Sequence, residues 1–107
     1  MKIKTNVLTG KTSDLLTTEI MYHIASAKSL GQDLVKFNVT CQENESEKRF
    51  ATVSRILKSA KRNGLIQLFV LSTDFDKSST EVEYLTNKYP RIFKDNNTDE
   101  IYYIIKL

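Results

Sequence analysis

A 107-residue chain with one histidine, His23, and one cysteine, Cys41, has few routes to acid–base, nucleophilic or metal chemistry. A zinc site draws mainly on cysteine and histidine, and neither residue has a second copy to join it. A nucleophilic thiol needs a nearby base and a lowered pKa, and nothing around Cys41 in sequence supplies either. His23 falls on the apolar stripe of a predicted helix, where a packed core-edge imidazole is expected rather than an accessible general base. Asp74 and Asp76, followed by Glu81 and Glu83, have the types needed to hold Mg²⁺ at a strand end. The same positions suit turn caps and helix N-termini, and that is the role expected of them. The chain therefore reads as non-enzymatic, with no cofactor, no metal and no catalytic residue.

Thr9-Gly10-Lys11-Thr12 ends like a phosphate-binding loop, yet the glycine required five positions before Gly10 is Thr5. The intervening residues also read as strand rather than as a loop wrapped around phosphate. What is left is a weaker candidate: Gly10, Lys11 and Thr12 as an anion-binding group where free amides open a helix.

The cations give the clearest signal. Residues 1–47 carry five basic and six acidic side chains, and residues 74–107 carry five basic and seven acidic. Residues 48–73 carry six basic and none acidic, so the net charge of +3 originates there. Lys48, Arg49, Arg55, Lys58, Lys61 and Arg62 all lie on one predicted helix. Arg55, Lys58 and Arg62 have the i, i+3, i+7 spacing that places them on one face, and Lys48 extends the row. A solvated outer face with cations at the helix C-terminus needs fewer of them and tolerates acids between them. A stripe of this kind can follow phosphates, and Lys36 on a neighbouring strand is a candidate helper.

Alternating Ile3 to Leu8 reads as a strand, closed by Gly10. A helix over Asp14 to Leu30 follows, with Leu16, Ile20, His23, Ile24, Ala27 and Leu30 on one face and Gly31 as its stop. Leu34 to Val39 is a second alternating strand. The basic helix runs from Glu47 to Arg62, with Phe50, Val53, Leu57 and Ala60 as its apolar stripe. Leu65 to Leu71 reads as the third and most buried strand. Ser78-Ser79-Thr80-Glu81 has a capping-box pattern that opens a short helix ending before Pro90. Arg91 to Lys94 and Ile101 to Lys106 read as a C-terminal hairpin.

The order βαβαβαββ predicts an α/β domain with a mostly parallel sheet. Alternation in the first two strands predicts a two-layer sandwich with helices mainly on one face. Ile3, Val7, Val35, Phe37 and Val39 would face the helices. Lys2, Lys4, Asn6, Lys36, Asn38, Gln67 and Phe69 would face the other way, on a partly open surface. No repeat, linker or composition shift divides residues 1–107, so one domain is expected. The longest apolar runs fall well short of the roughly 20 residues of a membrane helix. The first residues lack an apolar signal core and the lone cysteine suits a reducing compartment, so a cytoplasmic location is expected.

Over Ile3 to Leu71, the element order, the basic second helix and the half-open sheet resemble three groups of small folds. These are the Smr domains, the Alba proteins and the C-terminal domain of the third bacterial translation initiation factor. Smr domains carry acidic and histidine residues after strand one, where this chain has Asn6-Val7-Leu8-Thr9-Gly10. Their glycine-rich turn after strand two is Thr40-Cys41-Gln42-Glu43 here. The resemblance therefore implies nucleic-acid binding without nuclease chemistry, and dimer formation. The leading expectation is an RNA- or DNA-binding domain that uses the basic helix. The alternative is an interaction or homodimeric assembly module that pairs through the open sheet face.

Overall fold

In the computed structural model, residues 5–39, 45–75, 79–90 and 101–107 are described. The strands are β1 (Thr5–Leu8), β2 (Leu34–Val39), β3 (Leu68–Leu71) and β4 (Tyr102–Lys106). The helices are α1 (Ser13–Ser29), α2 (Ser46–Arg62) and α3 (Thr80–Lys88), with a 3₁₀ turn at Ser72–Asp74.

The first two helices stop in the same way. Gly31 and Gly64 have φ of 71° and 75°, a region that a side chain disfavours. In each case the next amide reaches back to the last turn, Gln32 N to Ala27 O and Leu65 N to Ala60 O, both at 2.9 Å. These Schellman stops turn the chain straight toward β2 and β3. At the other end of α1, Thr12 Oγ1 accepts from Leu15 N at 3.2 Å, an ordinary N-cap.

The strand order is β1-β2-β4-β3. β1 and β2 are parallel, with Thr5 opposite Lys36 and Leu8 opposite Val39. β4 runs antiparallel to both β2 and β3. The three strands predicted to be parallel do share one direction, but β4 is inserted between β2 and β3, so the sheet is mixed rather than mostly parallel. The second crossover steps over one strand position, where the first joins neighbours. β2-α2-β3 leaves a one-strand gap, and the last strand fills it from the opposite direction.

Both crossovers step the same way across the sheet, so a common handedness places α1 and α2 on one face. Leu16, Ile20 and Ile24 from α1 meet Val53, Leu57 and Ala60 from α2 over Leu8, Phe37, Tyr103 and Ile105. The expected two-layer arrangement is incomplete, because α3 covers part of the second face. Val82 and Leu85 pack there on Leu34, Val70, Tyr102 and Ile104.

Three further expectations are corrected. The hairpin of Ile101 to Lys106 with Arg91 to Lys94 is replaced: both edges of β4 are already occupied, by β2 and β3, and residues 91–94 lie outside the described residues. β3 is an edge strand with only Val70 buried, whereas all five residues of β4 are buried. In β1, Leu8 faces the helices, and Val7 points the other way and is 49% exposed. Lys2, Ile3 and Lys4 lie outside the described residues. Among the described residues, no helix is long and apolar enough to cross a membrane.

Candidate functional site

Burial of Val53, Ile56, Leu57 and Ala60 fixes the rotation of α2 about its axis. At 3.6 residues per turn, Lys48, Arg55, Lys58 and Arg62 then share an arc of about 80° on the opposite side. All four are exposed, and so is Lys61, which sits further round toward the β3 edge. Arg55 Nη2 lies 3.5 Å from Thr52 Oγ1 on its own helix. Among the described residues, no carboxylate forms an ion pair with any of these five cations. The α2 sequence explains why: after Glu47 in the first turn, the helix contains no acid.

Arg49 is separated from this set. It lies on the side of α2 that faces the β1–α1 loop, half-buried, and its guanidinium donates to Gly10 O at 2.6 Å and Leu8 O at 3.3 Å. The loop is held from the other side by Glu19, whose carboxylate accepts from Thr9 N at 3.1 Å and from Gly10 N. Glu19 is a residue that sequence reasoning passed over, and it puts an internal carboxylate on the Gly10 amide. Of the anion-binding candidates, Thr12 is the N-cap of α1 and Lys11 is exposed.

Lys36 lies on the opposite sheet face from α2, with its Nζ 4.1 Å from the centroid of the Tyr102 ring. Phe69 moves the other way. It was expected on the open face, but its partner in register is Ile105, so it packs on the α2 side. Two adjoining hollows there, of about 420 and 550 Å³, share Lys58, Phe69 and Glu81. Lys61 and Arg62 line one of them, and Ser54, Tyr103, Asp74 and Ser79 the other.

Tyr103 forms the inner wall. Its hydroxyl donates to Phe50 O at 3.1 Å, so the 2.9 Å contact with Ser54 Oγ has Ser54 as donor. Burial pushes the Tyr103 phenol above its ordinary value of 10.0; the Ser54 hydrogen bond opposes that shift and the Asp74 charge adds to it.

The outer wall follows from a one-residue shift of the expected cap. Ser79 is the N-cap of α3, and its Oγ accepts from Val82 N at 3.2 Å. Glu81 is thus the second residue of the helix rather than the third. The third residue after the Ser79 cap is Val82, so that cap has no glutamate for a capping box, and Glu81 lines the cleft.

His23 is half-buried against Phe37, with ring centroids 5.8 Å apart, as a core-edge histidine should be. Among the described residues, no group of three or more His, Cys, Asp or Glu side chains is placed to hold a metal ion. Cys41 and Asp76 lie outside the described residues.

Compared with known proteins, the chain matches no family model, no curated protein and no solved structure.

Proposed function

We propose that this domain binds RNA or DNA through the phosphate backbone, using the outer face of α2. The observation that carries the reading is that Lys48, Arg55, Lys58 and Arg62 share one exposed arc, with no ion-pair partner among the described residues. Unpaired cations in a row release condensed counterions when they meet phosphates, which gives affinity without sequence preference. Lys61 extends the set toward the β3 edge. Arg49 and Lys36 are left out because one is bonded to loop carbonyls and the other lies across the sheet.

Fluorescence anisotropy with labelled oligonucleotides tests the reading. Binding is expected with Kd on the order of 10⁻⁶ to 10⁻⁴ M at physiological salt. Replacing Arg55, Lys58 and Arg62 together with glutamine should abolish it. A triple variant that binds like the parent protein, or a parent protein that binds no oligonucleotide, refutes the proposal.

A second reading, assembly of two copies through the sheet, is favoured by one observation. Val7 is 49% exposed on the face that α3 covers elsewhere, and β1 is an edge strand. Sizing chromatography with light scattering separates the readings. A dimer that Val7→Lys disrupts, and that ignores oligonucleotides, supports assembly.

A further inference from the structure

We infer that the cleft between α2 and the start of α3 is a nucleobase slot, so that the nucleic acid bound is single-stranded and an amino-bearing base, guanine above all, is preferred. The inference rests on the α2 reading and adds a site and a ligand class to it.

The argument starts from the composition of the walls. Three kinds of group line the cleft: the cations Lys58, Lys61 and Arg62, the aromatic residues Phe69 and Tyr103, and the acidic residues Glu81 and Asp74. Its two hollows, about 420 and 550 Å³, lie in the ~300–1,000 Å³ range of small-ligand sites. A ligand that satisfies all three kinds of group has an anionic part, a flat part and a part rich in hydrogen-bond donors. A nucleotide unit has all three parts. Its phosphate meets cations that also belong to the outer face of α2, so the slot is continuous with the proposed backbone track. Its base stacks on the Phe69 ring, which is only partly buried. Its edge then faces Glu81, which can only accept while ionised.

That last condition discriminates among bases. Guanine presents two adjacent donors, N1–H and N2–H, that match the two oxygens of a carboxylate. Cytosine and adenine present one amino group. Uracil flanks its single imino donor with two carbonyl oxygens, which repel a carboxylate. A base paired in a duplex has its donors already used, so the slot selects single strands. An acidic peptide added to the free edge of β3 is the rival occupant. Glu81 disfavours it, because the carboxylate stands in the same cleft as the cations.

The test compares an eight-nucleotide uridine oligomer with the same oligomer carrying one central guanosine, measured by anisotropy at constant salt. The guanosine oligomer is expected to bind at least about fivefold more tightly. Phe69→Leu keeps apolar bulk but loses the ring face, and should remove most of that preference without changing the salt slope. Glu81→Gln adds an amide donor that suits uracil carbonyls, so it should shrink or reverse the preference. This variant carries the test if Phe69→Leu does not fold. Equal binding of the two oligomers, with affinity still lost on changing Arg55, Lys58 and Arg62, overturns the slot and leaves the α2 reading standing. No binding of either oligomer overturns both. Capture of a Glu-rich extended peptide without oligonucleotide binding also overturns both, and assigns the cleft to the rival.

Discussion

Arg49 donates to the carbonyl of Gly10 at 2.6 Å, joining the first turn of α2 to the loop that leaves β1. A second bond, to Leu8 O at 3.3 Å, uses the other terminal nitrogen of the same guanidinium. The planar fork suits two carbonyls in a way that a lysine ammonium does not. Arg49→Ala is expected to lower the unfolding free energy by about 2 kcal/mol, the scale for hydrogen bonds to a charged group. Arg49→Lys should recover less than half of that loss. Urea unfolding at constant m-value measures both. Neither variant should alter the salt slope of oligonucleotide binding. A change in slope as large as that of Arg55→Gln would return Arg49 to the binding face.

Gly10 is required for a different reason. A Cβ at this position would stand 2.6 Å from Glu19 Oε1 and 3.0 Å from both the backbone carbon and the Cβ of Leu15. The carboxylate can swing aside, but the first turn of α1 cannot. Gly10→Ala should therefore cost about 1–3 kcal/mol, the range for overpacking. Removing the carboxylate as well, in Gly10→Ala/Glu19→Ala, should not restore the parent stability. Full restoration would mean that the side-chain clash alone matters.

Glu19→Ala alone should leave the Thr9 and Gly10 amides without their acceptor. Thermal unfolding of that variant in phosphate, against chloride at matched ionic strength, should show stabilisation by the phosphate ion. The parent protein, with its internal carboxylate in place, should show none. Equal responses of the two would show that Glu19 does not occupy an anion position.

The raised pKa of Tyr103 makes stability depend on alkaline pH, and the sign is fixed by linkage. Below about pH 10 the phenol is protonated in both states and contributes no slope. Between the unfolded value and the higher folded value, the unfolded chain has released the proton and the native state has not. The unfolded state then binds fewer protons, so stability falls as pH rises. Tyr103→Phe should flatten this decline. At neutral pH the same variant loses the bonds to Ser54 and Phe50 and should be destabilised by about 1–3 kcal/mol, at roughly 0.5–1.5 kcal/mol per bond. Tyr89, also raised by burial, keeps a residual slope in the variant. An unchanged alkaline limb would show that Tyr103 ionises as easily folded as unfolded.

The sequence was legible where one periodicity had no competitor. In α2, Val53, Leu57 and Ala60 leave one rotation that buries them, so the exposed arc of Arg55, Lys58 and Arg62 follows directly. β1 had two competing readings. Val7 and Leu8 are adjacent and both apolar, so alternation fits either parity, and the pairing with β2 puts Leu8 inward. The rank of the strands was readable in principle. Ile101-Tyr102-Tyr103-Ile104-Ile105 is apolar on both faces, which is the pattern of a strand covered on both sides. The similar run in Leu68 to Leu71 concealed that difference, because α2 and α3 flank an edge strand as well as a central one. The cleft was not legible. Its floor, Phe69, and its outer wall, Glu81, are brought to Lys58 by strand parity and by a cap at Ser79 rather than Ser78, and neither is encoded by local spacing.

Lys36 and Arg55 provide the contrast that separates charge from location. Both were candidates for phosphate contact, yet Lys36 Nζ sits 4.1 Å from the centroid of the Tyr102 ring on the face away from α2. A cation over an aromatic face contributes about 0.5–2 kcal/mol, depending on how dry the site is. Lys36→Met keeps the packed stem and removes the charge, so it should cost about 0.5–1 kcal/mol of stability. It should leave the plot of log affinity against log salt with the parent slope. Arg55→Gln should do the opposite: little change in urea midpoint, and a slope shallower by about 0.7–0.9. The two lysine-to-neutral and arginine-to-neutral changes remove the same formal charge, so a purely long-range field would treat them alike. Equal loss of slope would mean that net charge, rather than the α2 face, attracts the nucleic acid.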